Sequence, residues 1–126
     1  MSLLKYEIEY VIKSSTSILY KRLSTASGLA EWFADNVNIQ SNIFTFYWDG
    51  SHEEAIILRK KEDKFIRFQW TDSQPDQYFE FKIQIDEMTK DISLIITDFA
   101  VDEDEKEENI LLWNTQIDNL KKALRI

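Results

Sequence analysis

Few side chains in this sequence have the types and spacing for chemistry. His52 is its only histidine, and there is no cysteine. A Ser-His-Asp relay would have to run through His52, and no serine stands in a nucleophile-elbow context. One histidine cannot make a metal pair, and thiolate sites and disulfides are excluded. The only glycines are Gly28 and Gly50, so there is no glycine-rich phosphate loop. His52 follows the Asp49-Gly50 turn and reads as a solvated loop residue. The acid-dominated run 102–108 lacks cation-ligand spacing and reads as a helix start, where carboxylates complement the positive end of the dipole. The expectation is no catalytic set, no metal and no cofactor. One acid stands apart. Asp98 shares parity with Ile92, Leu94 and Ile96, so it would face inward at the end of a strand. There it could orient a polar ligand group or act as a general base with a raised pKa. In the alternative, the strand is ending and Asp98 reaches solvent.

Aromatic residues are the other conspicuous feature. Phe65-Ile66-Arg67-Phe68-Gln69-Trp70 and Phe44-Thr45-Phe46-Tyr47-Trp48 could form a packed core, line a ligand cavity or stack nucleic-acid bases. Charge decides against the last. The chain carries a net −8, whereas nucleic-acid binding relies on Lys and Arg to neutralise phosphates. The best basic run, Arg59-Lys60-Lys61, is followed at once by Glu62 and Asp63 and reads as the end of a strand. Anionic membrane surfaces are disfavoured for the same reason. Lys5, Glu7 and Glu9 interrupt the first apolar segment, so neither a signal peptide nor a membrane span fits there. We therefore expect a cytoplasmic protein with no nucleic-acid partner and no membrane insertion.

The 126 residues fit one domain, 1–126. At this size roughly two-thirds of the unfolded surface is buried, enough for a core without staples. Residues 4–12 alternate, with Leu4, Tyr6, Ile8, Tyr10 and Ile12 on one face of a strand. Ser14 and Ser15 offer N-cap hydroxyls to a short helix carrying Ile18, Leu19, Arg22 and Leu23. Ser24 or Thr25 caps a second, 27–34, presenting Leu29, Trp32 and Phe33. From Val37 the period returns to two. Asp49-Gly50 marks a hairpin, and a strand follows over about 53–59. After Lys61-Glu62-Asp63-Lys64 comes a strand with Ile66, Phe68 and Trp70 on one face. A loop over 71–76 holds Pro75. Phe79, Phe81, Ile83 and Ile85 alternate in the next strand, and 91–100 form the last. Ile110, Trp113, Ile117, Leu120 and Leu124 then make one apolar stripe on a helix of roughly five turns. The order predicts an α+β domain, with a curved antiparallel sheet of about six to seven strands wrapped around the long C-terminal helix.

This order resembles the helix-grip fold of the START and polyketide-cyclase superfamily (SRPBCC), in a branch similar to the C-terminal domain of the heat-shock ATPase activator. Gly28-Leu29-Ala30-Glu31-Trp32-Phe33 resembles its Leu-x-x-Trp-Phe signature. Phe44 to Trp48 resembles its Phe-x-Phe-x-Trp strand, Ile66 to Trp70 a later aromatic strand, and Trp113-Asn114 the start of the last helix. The chain departs from the pattern in two places. Gln40-Ser41-Asn42 replaces the usual glycine before the Phe-x-Phe-x-Trp strand, with Asn42 expected in the left-handed turn. Ser15 stands near the usual proline of the first helix.

The resemblance implies a cavity between sheet and helix, because the superfamily commonly binds lipids, hormones or polyketide-like molecules. The ligand-binding residues expected on the concave face are Trp32, Phe46, Trp48, Ile57, Phe68, Trp70, Phe81, Leu94, Asp98, Trp113 and Ile117. The many Trp and Phe fill space, so the cavity should be small or partly closed. The leading expectation is non-enzymatic binding of a small hydrophobic molecule. The alternative is a protein-interaction or chaperone-regulator domain, or a homodimer, using an outer surface to which Tyr20, Tyr47, Phe65 and Phe99 would contribute. A cyclase- or dehydratase-type enzyme is the third reading.

Overall fold

The computed structural model describes residues 3–126. Strand β1 (Leu4–Val11) leads into helices α1 (Thr16–Ser24) and α2 (Ala26–Leu29). Six strands follow: β2 (Asn36–Gln40), β3 (Ile43–Trp48), β4 (Ser51–Lys61), β5 (Phe65–Trp70), β6 (Phe79–Ile85) and β7 (Ile92–Ala100). Helix α3 (Glu103–Leu124) closes the chain. The seven strands form one antiparallel sheet in the order β1-β7-β6-β5-β4-β3-β2. Strands β2 to β7 are a meander, and β1 returns to pair with β7. The α+β helix-grip architecture expected from the pattern is therefore the one observed.

Local chemistry sets the boundaries. Ser15 caps α1 by accepting from the Ile18 N–H at 3.1 Å. Thr25 caps α2 by accepting from the Gly28 N–H at 3.0 Å, and Asp102 caps α3 by accepting from the Glu105 N–H at 2.8 Å. Each side-chain oxygen satisfies a donor that has no partner inside the helix. Asp49 and Gly50 both adopt positive φ, 38° and 86°, as the tightest hairpin turns require. Gly28 is needed for space. A Cβ there would lie 2.2 Å from the Lys21 carbonyl oxygen and 2.7 Å from the Arg22 Cα, so α1 and α2 could not approach as they do.

Three expectations are corrected. Helix α2 ends at Leu29 rather than continuing to Ala34. Beyond it the backbone tightens, with Glu31 N–H bonded to the Gly28 carbonyl and Trp32 N–H to that of Leu29. That tightening lets Leu29, Trp32 and Phe33 all reach the core. The positive φ before β3 falls on Ser41 (56°), not Asn42, because the first residue of this two-residue loop makes the reversal. Tyr20 is buried, whereas Ile18 is 49% exposed. The core stripe of α1 is thus Leu19, Tyr20 and Leu23, and Tyr20 leaves the outer-surface set.

The inward face of the sheet is the core. Phe44 and Phe46 of β3, Ala55 of β4, Ile66 and Phe68 of β5, Phe79 and Phe81 of β6, and Leu94 and Ile96 of β7 are buried. Trp113, Ile117 and Leu120 of α3 close over them. On the outer face Arg67 pairs with Glu80 at 2.8 Å and lies 4.1 Å over the Tyr78 ring. Gln69 donates to the Gln74, Pro75 and Gln77 carbonyls, which fixes the loop between β5 and β6.

Candidate ligand cavity

The inward rows leave no open centre. Phe46, Phe68 and Phe81 are 0% exposed. Phe68 stacks on Phe79 at 5.0 Å and meets Phe44 edge-on at 5.1 Å, spacings favoured by aromatic pairs. Room remains toward one end, where β3, β5 and β7 finish and β4 and β6 begin. There a cavity of about 410 Å³ lies between the sheet and α3, open to solvent.

Each element supplies part of the wall. Trp48 comes from β3, Glu53 from β4, Trp70 from β5, Phe79 from β6 and Asp98 from β7. Helix α3 adds Asn109, Leu112, Trp113, Thr115 and Gln116, and the turn after α2 adds Phe33. Packing fixes these rings. Trp70 stacks on Phe79 at 4.9 Å, and Phe33 stacks on Trp113 at 6.0 Å. The Phe33 carbonyl accepts from the Trp48 indole at 2.8 Å and from Gln116 Nε2 at 3.2 Å. One backbone oxygen thereby ties β3 and α3 to the turn.

Asp98 is the polar centre. Its Oδ2 accepts from the Trp113 indole at 3.1 Å and from the Tyr6 hydroxyl at 3.3 Å. Its Oδ1 accepts from the Phe99 N–H at 2.8 Å. Burial pushes the carboxyl above its ordinary range, the three hydrogen bonds oppose that, and nearby Glu105 adds to the rise. Burial, then the charge of Asp98, raises the Tyr6 hydroxyl, so Tyr6 is a neutral donor at physiological pH. The structure thus places Asp98 facing inward, held by its neighbours, rather than reaching solvent from a fraying strand.

Of the residues expected to bind ligand, Trp48, Trp70, Asp98 and Trp113 line this cavity. Trp32, Phe46, Phe68, Phe81, Leu94 and Ile117 lie in the packed core behind it, and Ile57 packs partly buried against that core. Parity identifies a residue's face but not its height along the strand, and height separates the two sets. Phe33, Phe79 and Glu53 line the cavity without having been in the expected set. Glu53 has the parity of Ala55, which would have revealed it. Asn109, Leu112, Trp113 and Gln116 share a helix face at the spacing i, i+3, i+4, i+7, which overlaps the apolar stripe of α3 at Trp113. His52 lies exposed on β4, its ring 5.8 Å from Tyr47. Among the described residues, no group of three or more His, Cys, Asp or Glu is placed to hold a metal ion. No helix among them is long and apolar enough to cross a membrane.

Comparison with known proteins gives a consistent frame. The family model described as a START-like superfamily domain matches residues 1–125. The solution structure of BfR322 from Bacteroides fragilis is 35% identical, with a TM-score of 0.70, covering 98% of this chain and 93% of that one. The Aha1 dimer from Colwellia psychrerythraea is 19% identical with a TM-score of 0.81, covering 98% and 97%. CalU16 from Micromonospora echinospora is 16% identical with a TM-score of 0.74, covering 98% and 75%. At those two lower identities the likeness is one of fold. No curated protein matches.

Proposed function

We propose that this chain, which belongs to the START-like superfamily, binds a small hydrophobic molecule without transforming it. The molecule, a small lipid or an aromatic, polyketide-like compound, sits between the end of the sheet and α3. The observation that carries this reading is the cavity wall. Phe33, Trp48, Trp70, Phe79 and Trp113 line about 410 Å³ of space open to solvent, with Glu53, Asp98, Asn109, Thr115 and Gln116 as the polar groups among them. That volume and composition are those of small-molecule sites. The superfamily often binds hydrophobic ligands, which agrees with it. Thermal unfolding against a library of lipids and aromatic compounds is the test. A bound compound at a hundredfold excess over its Kd should add about 2.7 kcal/mol of stability. It should also quench Trp48, Trp70 and Trp113 fluorescence. A library that neither shifts the melting temperature nor changes fluorescence would overturn this proposal.

A second reading is association with another protein, including a second copy. Leu111 and Leu112 of α3 are 67% and 65% exposed, and Leu112 stands at the cavity rim. The Colwellia relative is described as a dimer. For a homodimer, sedimentation velocity should show a concentration-dependent dimer that Leu111→Glu abolishes. A monomer at every concentration would remove that form of the reading.

A further inference from the structure

We propose that the ligand is an organic cation, an amine or quaternary ammonium carried on an apolar body. This rests on the cavity being a binding site and names the chemistry it selects.

The first argument is the charge of the wall. Among the described residues, no Lys, Arg or His lines the cavity, and the two ionisable ones that do, Asp98 and Glu53, are both acids. An anionic head group would meet two carboxylates and no counter-charge, in a chain of net charge −8. The second is the rings. Trp48, Trp70 and Phe79 bring π-systems to the same space, and π-faces attract cations. The third is the state of Asp98. Its donors, the Tyr6 hydroxyl, the Trp113 indole and the Phe99 N–H, are all neutral, and no ion pair reaches it among the described residues. Three hydrogen bonds leave part of a carboxylate's acceptor capacity unused. A half-buried carboxylate without a cationic partner is left with unmet charge, and a guest ammonium supplies that partner.

The pH dependence follows. The groups facing Asp98 are Tyr6 on β1 and Trp113 and Glu105 on α3, with Glu53 on β4 across the cavity. Burial favours the neutral form of Asp98. A cation therefore binds weakly in acid, and its affinity rises as Asp98 loses its proton.

A matched set of eight-carbon amphiphiles tests the idea: octylamine, octyltrimethylammonium, octanol and octanoate, measured by titration calorimetry on the whole chain. The two cations should bind at least about tenfold more tightly than octanol, or about 1.4 kcal/mol, and octanoate should bind weakest. Asp98→Asn should reduce cation affinity by about tenfold and leave octanol unchanged, and Glu53→Gln at the exposed rim should reduce it less. Equal affinity for cations and octanol, or an unchanged cation affinity in Asp98→Asn, overturns the cation assignment and leaves the cavity reading standing. Failure of all four to bind overturns both.

Discussion

Phe68→Ala should destabilise the protein by about 4 kcal/mol, the cost of removing a buried aromatic ring and leaving a cavity. Phe68 is fully buried. Its ring contacts four others, Phe44, Phe46, Phe79 and Phe81, at 5.0 to 6.2 Å. Those partners are spread over β3 and β6, the strands flanking the β4–β5 pair, so no single side chain can relax into the gap. A domain of this size is stable by about 5–15 kcal/mol, so the loss is a large share of the total. With a urea slope of about 2 kcal/mol/M, the unfolding midpoint should fall by about 2 M, with little change in slope. Phe65→Ala, on the same strand but only half-buried, should cost far less. A Phe68→Ala loss below about 1 kcal/mol would contradict native-density packing. It would mean that Phe68 faces open space and that the lumen runs deeper than the end of the sheet.

Asp98→Asn should gain stability relative to the parent protein as pH rises from ~3 to ~7. Burial raises the Asp98 carboxyl in the folded state above its unfolded value of 3.8. Between the two values the folded protein binds more protons than the unfolded chain, so unfolding free energy falls as pH rises through that window. Asp98's stability contribution is fully present below 3.8 and is lost once the folded carboxyl ionises. Asparagine does not titrate and still offers an oxygen to the Trp113 indole and the Tyr6 hydroxyl, but its amide nitrogen replaces the oxygen that accepts from the Phe99 N–H, a cost that does not vary with pH. Each unit by which the carboxyl is raised should appear as about 1.4 kcal/mol of relative gain for the variant between pH ~3 and pH ~7. Urea unfolding of both proteins at the two pH values measures it, and the other carboxylates cancel in the difference. A gap that does not depend on pH would show that the buried carboxyl carries no titration penalty. A residue that costs stability at working pH and faces a cavity fits the usual trade between stability and function. The same substitution is expected to weaken cation binding, so stability and affinity should move in opposite directions.

The fold was legible because its signals are local and repeat. Alternation in β5 and β6 put Phe68 and Phe81 on the inner face, where they are buried. The three-four spacing from Ile110 to Leu124 marked the stripe of α3 that covers the sheet. The hydroxyls of Ser15 and Thr25, and the Asp49-Gly50 pair, marked starts and turns that the backbone uses. Signals weakened where a residue serves several partners at once. Trp32 and Phe33 both had to reach the core, so the helical reading of 27–34 gave way to tighter turns after Leu29.

The site was legible only in part. Sequence alone determined which side chains face inward, that the charge is acidic, and that Asp98 has inward parity, because each follows from residue type and a period of two or 3.6. It carried no information on height along the strands. Height follows from the register of every hairpin, such as Ala55 opposite Trp70 and Phe68 opposite Phe79, and from where α3 crosses. Tertiary structure therefore decided that Phe68 is core while Trp70, two residues on, lines a cavity. It also decided that Asp98 shares its carboxylate with Tyr6, 92 residues away, and with Trp113, 15 residues away, since only the return of β1 to β7 and the packing of α3 bring those donors to one acid.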